Sequence, residues 1–199
     1  MRVIAGEFRS RKLKSLPGMD TRPTPDRLRE SLFSILQPRI EGSVFIDAYA
    51  GTGSVGIEAL SRGAARVVFL ERNAAAVRVI DDNLYALGIG NRGQVVRGRV
   101  STSLRLHGAG ATIVFLDPPY ENEDEYTETL DWLGAHPPLL AVAQHHRNFF
   151  PREVYGALRR CRILKQGDSS LTFYAPLNHS NLTPQIGSAS PDFTPESGV

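Results

Sequence analysis

The tetrapeptide Asp117-Pro118-Pro119-Tyr120 follows the strongest strand-like run of the chain, residues 112–116. A carboxylate and a proline carbonyl can both accept hydrogen bonds from an exocyclic amino group, which steers the nitrogen lone pair toward an electrophile. The ring of Tyr120 offers a face on which a planar base can stack. We therefore predict a clamp for a planar amino group, with these four residues as its catalytic residues. The structural alternative is a strand that ends in a proline turn with Asp117 as a cap.

A glycine-rich segment supplies the second chemical motif. Gly51, Gly53 and Gly56 match the pattern G-x-G-x-x-G, in which the backbone approaches a ligand and the following helix presents free N–H groups. Glu71 stands 20 residues after Gly51, where a carboxylate can accept hydrogen bonds from ribose hydroxyls. Nicotinamide and flavin enzymes use the same motif. However, the acid before the loop, Asp47, suits a ligand with a positive amino-acid group better than a pyrophosphate.

Short apolar runs alternate with amphipathic stretches and must position both motifs. This alternation predicts an α/β fold with a mostly parallel sheet, helices on both faces and one antiparallel strand from a closing hairpin. The predicted strands are 44–47, 67–70, 94–97, 112–116 and 139–143, with the hairpin at 160–164 and 170–174. The predicted helices are 55–62, 74–87 (capped by Asn73 and ended by Gly88) and 123–134.

The N-terminal region is predicted to hold an arm and one further helix. Residues 1–24 are typical of a hairpin or loop arm rather than a core element. Thr24 can cap a helix whose apolar face is repeated at helical spacing, and Pro38 is expected to end that helix. The face consists of Leu28, Leu32, Ile35 and Leu36.

Composition narrows the class of protein. The 199 residues are 41% hydrophobic and 22% charged, which predicts one globular domain. No apolar run is long enough to span a bilayer, and the N-terminus lacks a secretory signal, so we expect a cytoplasmic protein without membrane contact. The single Cys161 excludes an internal disulfide, and the adjacent His145 and His146 lack partners at ligand spacing, so no metal site is predicted.

Charge is distributed unevenly along the chain. Residues 1–30 hold eight basic and four acidic groups, whereas the remainder has a net charge of −2. A second basic stretch, residues 147–165, has six basic residues opposed only by Glu153. This asymmetry indicates a polyanionic partner, with two solvated faces as the alternative.

The sequence resembles the RsmD family, bacterial methyltransferases that act on guanine N2 of 16S ribosomal RNA. The resemblance covers residues 1–174. The glycine loop and the proline motif are shared by many methyltransferases, whereas the segment 22–33 is the specific one. The similar segments are Val3-Ile4-Ala5-Gly6, Arg11-Lys12-Leu13, 22–33, 47–56, 58–64, Asp117-Pro118-Pro119-Tyr120 and 167–171.

This resemblance implies a Rossmann-like, seven-stranded sheet and S-adenosyl-L-methionine (SAM) as methyl donor. Its implied target is the guanine-966 type of site, in naked 16S rRNA or in the assembling small subunit. The implied cofactor residues are Asp47, Ala50, Gly51, Thr52, Gly53, Glu71, Arg72 and Arg99, although the family tends to place Asp or Asn at the last position. The implied RNA-contacting residues are Arg11, Lys12, Arg22, Thr24, Arg27 and Arg29.

We expect the chain to divide into an N-terminal arm and helix (1–40), a methyltransferase domain (41–175) and, from its composition, a disordered tail (176–199), and we expect it to act as a monomer. Other functions remain open. The same clamp would serve a DNA adenine-N6 methyltransferase, although 199 residues leave little room for a domain that reads DNA. A nicotinamide oxidoreductase explains the glycine loop but not the clamp. An RNA-binding protein that has lost catalysis would explain Arg99.

Overall fold

A computed structural model describes residues 1–16, 26–119 and 122–177. Within these ranges helices and strands alternate along the chain. In chain order they are α1 (Asp26–Ile40), β1 (Val44–Ala48), α2 (Ser54–Ser61), β2 (Arg66–Glu71), α3 (Ala74–Leu87), β3 (Gly93–Arg97), α4 (Val100–His107), β4 (Ile113–Leu116), α5 (Glu123–Ala135), β5 (Leu140–His146), β6 (Val154–Tyr155), β7 (Leu158–Gln166) and β8 (Ser169–Pro176).

The strands form one sheet in the order β3-β2-β1-β4-β5-β8-β7-β6. The first five are parallel, and β8 pairs antiparallel with β5 through the hairpin that it forms with β7. The predicted mostly parallel α/β fold is therefore confirmed. The sheet has eight strands rather than seven, because the two-residue β6 adds to the outer side of the hairpin.

Local signals placed most elements within a few residues of their bounds. The Asn73 side chain accepts hydrogen bonds from the backbone N–H groups of Ala75 (2.8 Å) and Ala76 (3.2 Å), and α3 ends at Gly88 in the left-handed conformation. Both ends of this helix were predicted from these two residue types.

The sequence patterns did not predict helix α4. Three consecutive Ser or Thr residues, 101–103, have modest helix propensity and hide its pattern. The helix forms because Val100 and Leu104, one turn apart, are both buried against the sheet. Tertiary packing here outweighs a weak local preference.

Two expectations about the N-terminal region were wrong. Pro38 lies inside α1, which continues to Ile40; burial of Ile40 in the core offsets the hydrogen bond that the proline nitrogen cannot donate. The arm is also part of the core: Val3, Phe8 and Leu13 are buried in the hydrophobic cluster shared with α1.

The sheet separates two hydrophobic clusters. One joins the arm, α1, α2 and α3 to one face, and the other joins α4 and α5 to the opposite face. Pro176 belongs to β8, so the disorder expected from residue 176 onward was wrong for this residue. Residues 178–199 of the predicted tail lie outside the described residues. None of the helices formed by the described residues is long and apolar enough to cross a membrane.

Candidate active site

The carboxyl ends of β1 and β4 lie side by side at the point where the strand order reverses. The register pairs Ala48 with Leu116, and the backbone N–H of Asp117 lies 3.4 Å from the carbonyl oxygen of Ala48. Open α/β sheets bind ligands in the crevice at such a switch point. The sheet therefore brings the two predicted motifs to one edge.

The glycine loop connects β1 to α2 across this crevice. Its backbone is held by hydrogen bonds from the Ala50 N–H to the Leu70 carbonyl (3.0 Å) and from the Gly53 N–H to the Ala50 carbonyl (2.8 Å). Gly51 has a φ of +54°, and a Cβ added there would meet no atom within 4 Å. The loop thus offers bare backbone to the open space at the edge of the sheet.

Gly56 serves packing rather than the ligand. A Cβ at this position would lie 2.2 Å from the Cε1 atom of the Phe69 ring on β2. The helix α2 can therefore approach the sheet only because this residue has no side chain, which brings its N-terminus close to the end of β1.

Asp47 lies beneath this helix. It is 2% exposed, and its Oδ2 atom accepts a hydrogen bond of 2.8 Å from the Gly56 N–H. Burial raises the pKa of the Asp47 carboxyl well above its ordinary value; the Gly56 hydrogen bond opposes this shift, and the charges of Asp117 and Glu71 add to it. The site therefore concentrates negative charge from three strand ends.

Glu71 holds the loop in place from the end of β2. One of its oxygens accepts the Gly51 N–H (2.8 Å) and the other accepts the Asn73 N–H (2.7 Å). Because an ionised carboxylate has about four acceptor positions, both oxygens keep capacity for a hydroxyl. The ribose contact stays a prediction, and Glu71 also supports the loop.

The other predicted cofactor residues surround the same edge. Ala50 and Gly53 are buried in the loop, and Thr52 is half-buried. Arg72 is exposed directly after β2, and Arg99 is exposed directly before the first residue of α4.

Asp117 is half-buried and its carboxylate is held by a neighbour on β5. The side-chain N–H of Gln144 donates to Asp117 Oδ2 at 2.8 Å, and Gln144 itself is 2% exposed. The hydroxyl of the buried Tyr126 lies 2.8 Å from the Gln144 carbonyl oxygen and 3.3 Å from that of Pro118. This network fixes the turn that carries the predicted clamp.

Sequence reasoning assigned Gln144 and Tyr126 no role in the site. Pro118 is buried and Pro119 is exposed. Tyr120 lies outside the described residues.

The predicted RNA-contacting residues separate into three groups. The side chains of Arg11, Lys12 and Arg27 are exposed. Arg29 is fully buried, so the expectation that it contacts RNA was wrong: its guanidinium points inward to the Arg2 carbonyl oxygen. Arg22 and Thr24 lie outside the described residues.

Comparisons with known proteins agree with this geometry. A family model described as "Conserved hypothetical protein 95" matches residues 1–175. YlbH of Bacillus subtilis (strain 168) is 35% identical over 188 residues, which span 87% of this chain and 98% of that protein. Ribosomal RNA small subunit methyltransferase D of Escherichia coli (strain K12) is 36% identical over 156 residues, spanning 76% of this chain and 78% of the relative.

A solved structure of yhhF from Escherichia coli has the same fold, with a TM-score of 0.76 and 32% identity over 88% of this chain and 97% of the other. The sheet, its glycine loop and these relatives define a Rossmann-like, SAM-dependent methyltransferase. Within that class, the chain belongs to the RsmD family.

The residues at the sheet edge suit SAM. The cofactor carries a positive sulfonium and a positive ammonium, and the carboxyl groups of Asp47, Glu71 and Asp117 influence one another at this edge. The backbone at Gly51 is open to the crevice, and the Glu71 carboxylate keeps acceptor capacity for a hydroxyl. These residues would hold the cofactor by charge complementarity and by loop backbone.

This electrostatic arrangement predicts that SAM binding depends on pH. A cation beside Asp47 favours its ionised form, so binding lowers its raised pKa and releases a proton. Affinity should rise with pH from the ordinary aspartate range of about 4 toward the raised value, and level off above it. Asp47→Asn keeps an acceptor for the Gly56 N–H and should bind SAM at least about tenfold more weakly, with this pH dependence removed.

Isothermal titration calorimetry measures the SAM affinity of the wild-type and Asp47→Asn proteins between about pH 5 and about pH 7. This range lies below the pKa of most amino groups, so those groups stay protonated throughout. The Asp47→Asn protein is the control for all other titrating groups, because those groups are the same in the variant and in the wild-type protein. An equal pH slope in the two proteins would contradict the role assigned to Asp47.

Proposed function

We propose that this protein transfers a methyl group from SAM to the exocyclic N2 of a guanine in 16S rRNA, at a site of the guanine-966 type. The observation that carries the proposal is the Asp117 carboxylate, which Gln144 holds at the switch point beside the glycine loop. A fixed acceptor at this place is what an exocyclic amine needs in order to be oriented toward a cofactor in the crevice. The name of the Escherichia coli relative supports ribosomal RNA as the substrate.

The chain's own residues orient the amine. Asp117 accepts one N–H of the guanine amino group and the Pro118 carbonyl accepts the other, which directs the nitrogen lone pair toward the crevice. SAM supplies an electrophilic methyl group on its sulfonium. The new N–C bond forms as the S–C bond breaks, S-adenosyl-L-homocysteine leaves, and the displaced amine proton passes to solvent. Asp117 therefore acts by position and charge rather than as a strong base.

The basic N-terminal region supports an RNA substrate. Lys12 forms a β-bridge with Arg2, whose carbonyl oxygen accepts a hydrogen bond from Arg29 in the first turns of α1. The side chains of Lys12 and Arg27 are both exposed and can meet phosphates. The substrate is rRNA or the assembling small subunit, and the monomer in the cytoplasm is the acting form under this proposal.

Removing these two charges should change the salt dependence of RNA binding. In the double variant Lys12→Ala/Arg27→Ala, the slope of log affinity against log salt should become shallower by about 1 to 2, because each lost phosphate contact removes about 0.7 to 0.9. Filter binding at several salt concentrations measures the slope. Arg105→Ala is the matched control, since this exposed arginine lies near the end of α4, on the opposite face of the sheet from the arm. Equal slopes in all three proteins would remove the arm from the RNA surface.

The direct test of the proposal uses radiolabelled SAM with undermethylated small subunits, naked 16S rRNA and duplex DNA, followed by nucleoside analysis. Label in N2-methylguanosine from either RNA sample is the expected result, and the better sample identifies the substrate form. Label in N6-methyladenine from DNA would replace the proposal with the adenine reaction. SAM binding without label in any sample would mean a different acceptor.

A further inference from the structure

The segment between β5 and β6, residues 147–153, leaves the sheet at the same edge as the clamp. Leu116 of β4 pairs with Ala143 of β5, so Asp117 and Gln144 are neighbours and the segment begins only three residues further along β5. We call this segment the β5–β6 loop. It also opens the second basic stretch of the sequence, to which the proposed reaction gives no role.

The β5–β6 loop is held at both ends. The Arg147 N–H donates to the Asp168 carbonyl (2.8 Å), and the Phe149 N–H donates to the His146 carbonyl (3.0 Å). At the other end, the Arg152 N–H donates to the Tyr155 hydroxyl (3.0 Å), while the Arg152 carbonyl accepts from the Tyr174 hydroxyl (2.9 Å). Two hydrogen bonds at each end restrict the backbone of the β5–β6 loop.

Two consecutive phenylalanines in this loop have opposite environments. The ring of Phe149 packs on Tyr126, whose hydroxyl bonds to Gln144 and Pro118 beside Asp117, and on His145. Its centroid lies 4.8 Å from that of Tyr126 and 5.6 Å from that of His145. The next residue, Phe150, is 79% exposed even though Pro151 after it is buried. The fold therefore displays one aromatic ring on a held loop beside the site.

Positive charge accompanies this ring. Arg147 is exposed, with an Nη1 atom 3.7 Å from Asp168, and Lys165 is exposed one residue before the end of β7. Both residues belong to the hairpin end of the sheet, because Arg147 bonds to the hairpin turn and Lys165 pairs with Ser170. An exposed aromatic ring on a loop that begins with an exposed arginine fits an unpaired nucleobase with its phosphates better than it fits an apolar protein surface.

We propose that Phe150 stacks on an unpaired base that flanks the target guanine in the RNA, and that Arg147 and Lys165 contact the adjoining phosphates. This inference rests on the proposed RNA substrate and adds a second recognition point to the same site. Stacking holds the strand while the guanine enters the clamp, so it acts on substrate binding more than on the chemical step.

Kinetics on the RNA sample that the wild-type protein methylates provide the first test. Phe150→Ala should raise KM about tenfold, since one base–aromatic stack lost to alanine corresponds to about 5- to 150-fold in affinity, with kcat within about threefold of wild type. Phe150→Tyr keeps a ring and should restore KM to near the wild-type value. Leu106→Ala is the matched control, because Leu106 is a 74% exposed apolar side chain near the end of α4, away from the clamp.

Fluorescence tests the stack directly. Phe150→Trp places an indole at the loop, and binding of a short single-stranded RNA with S-adenosyl-L-homocysteine should quench its emission. The wild-type protein contains one tryptophan, Trp132, and supplies the background. An active wild-type protein with unchanged KM in Phe150→Ala, or an unquenched Phe150→Trp, would overturn the stacking proposal. A KM effect on assembled subunits alone would assign the ring to a ribosomal protein instead. An inactive wild-type protein would contradict the proposed function, not this inference.

Discussion

Asp117→Ala should slow methyl transfer by about a hundredfold or more while SAM affinity stays within a few-fold. The carboxylate is expected to act on the acceptor amine, so its loss removes a contact that strengthens in the transition state and not one that binds the cofactor. Single-turnover rates with saturating SAM measure the chemical step, and isothermal titration measures the affinity.

The structural cost of this change is small and measurable. Asp117 is only half-buried, and its removal leaves the Gln144 side chain without the acceptor at 2.8 Å. Such a loss costs about 1 kcal/mol of stability, which thermal unfolding detects separately from the rate. Glu123→Ala is the matched control, since this exposed carboxylate lies in the first turn of α5 near the same edge and should leave the rate unchanged.

Parallel losses in SAM binding and in turnover would mean that Asp117 supports the loop and does not hold the amine. A normal rate in Asp117→Ala would remove the clamp from the mechanism altogether. Both outcomes differ from the expected separation of affinity and rate, so the experiment distinguishes a catalytic carboxylate from a strand cap.

The two motifs of the site could be predicted because their geometry follows from the fold class. Parallel strands present their carboxyl ends at one edge, so Asp47 and Asp117 had to approach each other once the alternation of strands and helices was recognised. The glycine pattern likewise specified a turn that only residues without a Cβ permit, and Gly51 and Gly56 have the open backbone and close packing that it requires.

The remaining parts of the site depend on contacts between distant segments. Gln144 reaches Asp117 across 27 positions of sequence, and nothing in its own neighbourhood indicates that its amide would be buried there. The resemblance to the RsmD family assigned Arg29 to the RNA surface, and the apolar stripe of α1 does not include it. Its partner Glu58 is on another helix, so the sequence pattern of α1 alone could not reveal a buried charge.

Glu58 connects the arm to two helices and is 1% exposed. Its carboxylate accepts hydrogen bonds from the N–H groups of Ile4 (2.8 Å) and Ala5 (3.0 Å) and from the Arg62 Nε atom (2.7 Å). The Nε atom of Arg29 lies 3.9 Å from the same carboxylate. The buried Glu58 carboxylate therefore accepts hydrogen bonds from two backbone N–H groups of the arm and lies close to the two cations Arg29 and Arg62.

Arg29 is held less well than its partner. Its Nη2 atom donates to the Arg2 carbonyl (2.7 Å) and to Asp26 (3.0 Å), whereas its buried Nε and Nη1 atoms have no hydrogen-bond acceptor among the described residues. Burial lowers the pKa of the Arg29 guanidinium, and the charges of Asp26 and Glu58 oppose that shift. The guanidinium is thus costly to bury and depends on both Asp26 and Glu58 for compensation.

Glu58→Ala should therefore destabilise the protein by about 3 to 5 kcal/mol, because it removes the buried counter-charge of Arg29, leaves that residue with the exposed Asp26, and leaves two arm N–H groups without an acceptor. Arg29→Met keeps a long apolar stem, removes the buried charge, and leaves Glu58 paired with Arg62, so its cost should be smaller by about 2 kcal/mol or more. Urea unfolding of the two variants measures the difference. Because Arg29 is interior, Arg29→Met should also leave the salt dependence of RNA binding unchanged. Equal losses of stability would contradict the asymmetry of the pair, and a shallower salt slope would return Arg29 to the RNA surface.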